Sequence, residues 1–227
     1  MTRRNIALIP AAGIGARFGA DIPKQYVKIG GKTVLQHTLD IFLNHFLIDS
    51  VAVAVSPDDV FFQGCGGKVA VLRCGGKSRA ETVRNAVYAL LEQGLADEGD
   101  NVLVHDAARC CLPPDALTRL VAEAGSRSGG GILAMPVADT LKHADDAGCA
   151  AETVPRAGLW QAQTPQLFQA ALLRRALSAG GLDGVTDEAS AVERLGVRPL
   201  LVLGDTRNLK LTLPQDEFVV RLLLQAV

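Results

Sequence analysis

The sequence predicts an α/β fold: one Rossmann-like domain with a mostly parallel sheet and a protruding β-hairpin arm. Three observations carry this reading. Short, continuously apolar runs recur along the chain, as in strands buried on both faces. Helix-period apolar patterns separate them, the alternation expected of a parallel sheet covered on both sides. The alternation breaks once, at residues 140–155, where Asp145-Asp146-Ala147-Gly148 reads as the turn of a polar hairpin.

The elements follow in order. Ile6-Ala7-Leu8-Ile9 is a buried first strand that ends at Pro10 and a glycine-rich turn. Thr33 is placed to cap a helix whose apolar side is Val34, Leu35, Leu39, Ile41, Phe42 and Phe46. Residues 51–55 and 69–72 are the next strands. Ser78 and Glu81 have capping-box spacing ahead of a helix bearing Val83, Ala86, Val87, Leu90 and Leu91 on one face. A strand at 102–104, a helix at 115–123 and a strand at 132–135 come next. Beyond the hairpin lie helices near 169–179 and 187–195, a strand at 200–203 and a last amphipathic helix at 215–224. Neither a repeat nor a linker divides residues 1–227, so one domain is expected, with the arm at about 139–156.

Composition narrows the function. A chain of 227 residues, 48% apolar, buries a substantial core. A formal net charge of −1 gives no global field for nucleic acid or an anionic membrane, so an acidic ligand needs a local cluster of cations. Five cysteines, without a C-x-x-C pair, offer neither a disulfide framework nor zinc spacing. The apolar run at 6–10 is too short for a signal peptide or a membrane span. A cytoplasmic protein is expected.

After the first strand comes Pro10-Ala11-Ala12-Gly13-Ile14-Gly15-Ala16-Arg17-Phe18-Gly19. Small residues let backbone approach a ligand, and successive N–H groups make an anion cradle. The spacing G-x-G-x-x-x-G is not that of a dinucleotide-binding loop, and no Gly-Lys-Ser/Thr ending marks a Walker loop. Arg17 lies inside the loop and Lys24 follows it, two cations suited to a triphosphate whose leaving group gains charge. From spacing alone, a tight turn carrying a solvated Arg and Lys stands equally open.

These residues, with Pro23-Lys24-Gln25-Tyr26, resemble the 2-C-methyl-D-erythritol 4-phosphate cytidylyltransferases of non-mevalonate isoprenoid biosynthesis. The resemblance continues through Gly75-Gly76-x-x-Arg79-Ala80-x-Thr82-Val83, Val104-His105-Asp106-Ala107-Ala108-Arg109 and Pro136-Val137-x-Asp139-Thr140. It ends with Trp160-x-x-x-Thr164-Pro165-Gln166, Thr186-Asp187-Glu188-Ala189-Ser190 and Asn208-x-Lys210-x-Thr212. Each block is ordinary; their order along almost the whole chain is specific. The resemblance implies a nucleotidyltransferase-type fold, a homodimer with shared active sites, and Mg²⁺ with CTP as donor. The acceptor would be methylerythritol phosphate and the products 4-diphosphocytidyl-2-C-methyl-D-erythritol and pyrophosphate. It also implies roles by position. Arg17, Lys24, Arg156 and Lys210 would be the catalytic cations. Ala11, Ala12, Gly13, Gly15, Gly76, Arg79, Thr82 and Ala107 would surround the nucleotide. Asp106, Arg109, Thr140, Arg156 and Lys210 would hold the acceptor. No protein ligand to the metal is assigned. Two departures stand out: Cys110 replaces the usual proline after Arg109, and residues 61–68 are short and glycine-rich. Because some relatives are fused to a later pathway enzyme, a chain ending at Val227 is expected to be monofunctional.

The chemistry asks for little acid–base work. A phosphomonoester has a second pKa of about 6, so its oxygen is already nucleophilic near neutrality. Asp106, past a central strand, can bind a substrate hydroxyl or a Mg²⁺-bound water, or serve as a turn or cap residue. His105 reads as structural, and Cys110 and Cys111 as small packed residues. Trp160 belongs to a core or an interface. Asp187 and Glu188 either bind metal or begin a helix. Rival readings are a cytidylyltransferase for another polyol phosphate such as ribitol 5-phosphate, a non-catalytic nucleotide-binding regulator, and an NAD-dependent oxidoreductase, which the glycine spacing disfavours.

Overall fold

A computed structural model describes residues 3–13, 22–64 and 68–225 of the chain. Gly15 and Arg17 lie outside the described residues. The first half of the chain contains β1 (Asn5–Pro10), the two-residue strands β2 (Lys28–Ile29) and β3 (Lys32–Thr33), α1 (Val34–Leu43), β4 (Ser50–Ala54), β5 (Val69–Leu72), α2 (Arg79–Glu92) and β6 (Asn101–Val104). The second half contains α3 (Pro114–Ala124), β7 (Gly131–Pro136), β8 (Leu141–Ala144), β9 (Ala150–Val154), β10 (Trp160–Gln169), α4 (Ala170–Ser178), α5 (Glu188–Glu193), β11 (Leu200–Leu203) and α6 (Asp216–Gln225).

Seven strands form the central sheet in the order β11-β7-β10-β6-β1-β4-β5. Its pairings are parallel except those of β10, which runs antiparallel to both β6 and β7. Strand alternation divides the core. Ile6 and Leu8 pack with Val102 and Val104 under α2, α4 and α5, while Ala7, Ile9, Val53 and Leu103 pack under α1 and α3. A third cluster, Ile29, Val34, Ala108, Cys110, Leu211 and Val220, fastens the C-terminal segment to the turn after β6. Cys110, in the proline position, is therefore a packed residue here.

Three differences from the sequence reading have physical causes. β10 was not expected: its first residues, Trp160 to Gln163, are polar-rich and largely exposed, and Pro165 argues against a central strand. The ladder to β7 accommodates this with a register shift between Ala162 and Gln166. Phe46 does not share the apolar side of α1, which ends at Leu43; Phe46 is 81% exposed and stacks on His45. Only half of the capping box at α2 forms: Ser78 accepts from the Glu81 N–H at 3.1 Å, but the Glu81 carboxylate reaches the N–H of Lys77 at 2.8 Å.

The arm is present as the antiparallel pair β8–β9. Asp145 Oδ1 accepts from the N–H groups of Ala147 and Cys149, and Gly148 supplies the left-handed backbone of the turn at φ 79°. Almost all of the hairpin is exposed. Among the described residues, no helix is long and apolar enough to cross a membrane.

Candidate active site

Chain order reverses at β1: β4 and β5 lie to one side and β6 to the other. Open α/β sheets bind ligands beyond the carboxyl ends of the strands at such a point. A cleft of about 460 Å³ lies there, lined by the turn after β1, the start of α2 and the turn after β6, with Lys24 and Lys210 at its border.

The first wall is backbone. Gln25 holds it, donating from Nε2 to the carbonyls of Ala11 at 2.9 Å and Gly13 at 2.8 Å. The Ala11 N–H donates to the carbonyl of Ala54 at 2.7 Å. Gly75 must lack a side chain, because a Cβ there would strike the Ala12 methyl and lie 2.9 Å from the Val55 carbonyl oxygen. Thr82 borders the cleft, yet its hydroxyl is used locally: it accepts from the Gly76 N–H at 3.0 Å and donates to the Ser78 carbonyl at 2.9 Å. Thr82 thus shapes the glycine turn.

The second wall is ionic. Asp106 follows β6 with its carboxylate almost fully enclosed. Arg79 Nε donates to Oδ1 at 2.8 Å, Lys210 Nζ donates to Oδ2 at 2.8 Å, and Arg109 Nε lies 3.7 Å from Oδ2. Burial alone would push this carboxyl up; Arg79, Lys210 and Arg109 together hold it far below the usual carboxylate range. Arg79 does not present a free fork to a nucleotide, because its Nη1 and Nη2 are bound by Glu188 at 2.7 and 3.0 Å. Burial opposes its charge, and Glu188 and Asp106 more than restore it.

Lys210 is positioned by its neighbours. Leu211 is fully buried, its N–H donating to the Ala108 carbonyl at 2.8 Å, and its own carbonyl accepts from Lys24 Nζ at 2.8 Å. Asn208, also buried, donates to the Thr164 carbonyl at 2.7 Å and accepts Arg109 Nη1 on its backbone oxygen at 2.6 Å. Arg109 Nε is buried and, among the described residues, lacks a hydrogen-bond partner.

His105 takes a structural place. Its Nε2–H donates to the Arg109 carbonyl at 3.0 Å, and Nδ1 accepts from the Thr164 hydroxyl at 3.1 Å. That hydroxyl in turn accepts the Asp106 N–H at 3.1 Å. Burial pushes the imidazole down from 6.5 to about 4, so it is neutral and fully engaged near pH 7.

A smaller cleft of about 200 Å³ opens on the far side of the same ionic wall, between Arg109, Thr164, Gln166, Thr186 and Asp187. Arg79, Asp106 and Lys210 border both clefts. Of the residues expected from the sequence, Ala11, Ala12, Gly13, Lys24, Gly76, Arg79, Thr82, Asp106, Ala107, Arg109 and Lys210 therefore gather at one site. Thr140 and Arg156 border neither cleft. Both are exposed at the base of the arm, where Arg156 Nη1 donates to the Ala138 carbonyl. Asp187 and Glu188 do not form a metal pair: Asp187 caps α5, accepting from the Ser190 N–H at 2.9 Å, and Glu188 binds Arg79. Among the described residues, no group of three or more His, Cys, Asp or Glu is arranged to hold a metal. Gln25 and Asn208 were not singled out in the sequence, and Glu188 was read there as a metal ligand or a helix start, not as the partner of Arg79. Gln25 and Asn208 lie inside the quoted blocks, but nothing local reveals their distant partners.

The chain is similar to known proteins over almost its whole length. Residues 5–225 match the family model described as IspD: 2-C-methyl-D-erythritol 4-phosphate cytidylyltransferase. The chain is 66% identical to the protein of that name from Neisseria gonorrhoeae, over all of both chains. It is 52% identical to that from Chromobacterium violaceum, over 97% of this chain and 98% of the other. The fold superposes on a crystal structure of 4-diphosphocytidyl-2C-methyl-D-erythritol synthase with a TM-score of 0.89 and 62% identity, covering 98% of this chain and 100% of the other. The Francisella tularensis IspD structure gives a TM-score of 0.82 at 35% identity, over 97% and 99%. The chain belongs to the 2-C-methyl-D-erythritol 4-phosphate cytidylyltransferase family.

Proposed function

We propose that the protein transfers CMP from CTP to 2-C-methyl-D-erythritol 4-phosphate, giving 4-diphosphocytidyl-2-C-methyl-D-erythritol and pyrophosphate. The observation that carries this reading is the pair of clefts divided by one ionic wall. The larger has the backbone surface and helix start that suit a triphosphate nucleotide. The smaller has the cations that suit an acceptor phosphate, Arg109 and Lys210. An acceptor oxygen attacks the α-phosphorus of CTP, the new P–O bond forms, and the bond to the bridging oxygen breaks. Pyrophosphate leaves with that electron pair. Lys24 balances charge that develops on the phosphorus and the leaving group; the matching role for Arg17 rests on the sequence resemblance alone.

Mg²⁺ accompanies CTP in this proposal. The described residues of the larger cleft supply one carboxylate, Asp106, whose oxygens are taken by Arg79 and Lys210. A protein cage for the ion does not fit, and phosphate oxygens and water would hold it. Mass and phosphorus NMR of the product formed from CTP and methylerythritol phosphate test the assignment. A cytidine diphosphate ester is expected, and any other linkage contradicts it.

The same reading makes the enzyme a cytoplasmic homodimer, with the single domain's arm carrying Thr140 and Arg156 into the neighbouring site. An isolated two-stranded hairpin is marginal in water, and this one is exposed on both faces, which favours a partner covering it. Mixing inactive Lys24→Met with inactive Arg156→Gln protein under subunit exchange is expected to restore about a quarter of wild-type activity per site. If Arg156 serves its own subunit, no activity returns.

A further inference from the structure

Glu188 is 1% exposed and borders neither cleft, yet it receives the whole fork of Arg79. The helix it begins does not require it there. Asp187 and Ser190 already cap α5 reciprocally, and Gln166 ties the cap to β10 through Asp187 Oδ2 and the Ala189 N–H, both at 2.8 Å. A buried ion pair is also a poor source of stability, since apolar residues of similar volume serve as well. What the pair does supply is geometry. Two parallel contacts fix the plane of the guanidinium and turn its Nε edge toward Asp106 Oδ1. Asp106 Oδ2 is thereby left to Lys210.

We propose that Glu188 is a positioning residue: by holding Arg79 it orients Asp106, and through Asp106 it sets Lys210 at the wall between the two clefts. This rests on the reaction assigned above. Without the Glu188 charge, Asp106 is the remaining carboxylate paired with Arg79 among the described residues. The guanidinium then turns to grip it with two nitrogens and displaces Lys210 from Oδ2.

Glu188→Gln keeps the side-chain volume but sets an amide N–H₂ against the guanidinium. With CTP and methylerythritol phosphate, kcat/KM for the acceptor is expected to fall on the order of 10²-fold, as for a small misplacement of a reacting group. KM for CTP should change far less, and the melting temperature should fall as well, because Arg79 loses one of its buried counter-charges. Glu188→Asp, which keeps the charge one methylene short, should lose activity in the same direction; full activity in that variant would overturn the requirement for reach. A lower melting temperature with unchanged kinetic constants would make Glu188 merely structural and overturn the proposal. The crystal structure of Glu188→Gln decides independently of turnover. Arg79 rotated and Lys210 off Asp106 supports the positioning role, and an unchanged network contradicts it. If the wild type itself releases no pyrophosphate from this substrate pair, the reaction assignment fails, and the crystallographic result still judges Glu188.

Discussion

The two walls of the larger cleft are built by opposite means. One is backbone from residues 10–13 and 75–76, kept close by the absence of a side chain at Gly75 and clamped by Gln25. The other is a chain of charges, Glu188–Arg79–Asp106–Lys210, drawn from four separate segments. The backbone wall discriminates by shape and by fixed N–H groups, and it is insensitive to pH. The ionic wall exists only when every partner is in place, so its failures should be kinetic and coupled. Substitutions can therefore tell the walls apart.

The largest effect should come from the cation that borders both the backbone wall and the Leu211 segment. Lys24→Met is expected to lower kcat on the order of 10²–10³-fold while leaving KM nearly unchanged, because its charge is used mainly in the transition state. Steady-state kinetics with near-normal kcat would remove Lys24 from the mechanism.

Protonation sharpens the contrast next. His105 is held neutral, with a pKa near 4 against 6.5 in the unfolded chain. Its contribution is complete above pH 6.5 and declines as pH falls toward 4, because only the unfolded chain takes up the proton in that window. The loss amounts to roughly 3 kcal/mol. Asp106 acts in the same sense at lower pH: its depressed pKa gives stability present above about pH 4 and lost as pH falls further. Melting curves between pH 7 and 4 should fall steeply in the wild type and more gently in His105→Gln. Parallel curves would show that His105 does not titrate as described.

Gly75→Ala should damage the backbone wall alone. Inserting a Cβ against Ala12 and Val55 is expected to cost about 1–3 kcal/mol and to raise KM for CTP more than KM for the acceptor. An equal rise in both would mean that the walls are not independent. The smallest stability change belongs to the arm: Arg156→Gln, at an exposed position, should stay within about 0.5 kcal/mol of the wild type while losing activity.

The same contrast explains what the sequence could reveal. β1, β4, β6 and β7 were legible because buried parallel strands are apolar runs, β11 was legible as an apolar run although Leu201 and Leu203 are exposed at the sheet edge, and the backbone wall was legible because its glycines lie within short blocks. β10 was hidden because half of it is polar and Pro165 interrupts it. Asp106, Arg109 and Lys210 were reached through the family resemblance, since nothing in their spacing brings residues 106 and 210 together. Glu188 looked like a helix start, and it is one. Its second partner, Arg79, lies 109 positions away, beyond any local pattern.

The assignment of the two clefts is tested most directly by pyrophosphate release across a matrix of nucleotides and acceptors. The account predicts fast release with CTP and methylerythritol phosphate and slow release with UTP, which lacks the exocyclic amine of cytosine and would leave any buried acceptor that reads it unpaired. Ribitol 5-phosphate should be a poor acceptor. Equal rates with UTP, or a higher rate with ribitol 5-phosphate, would contradict it.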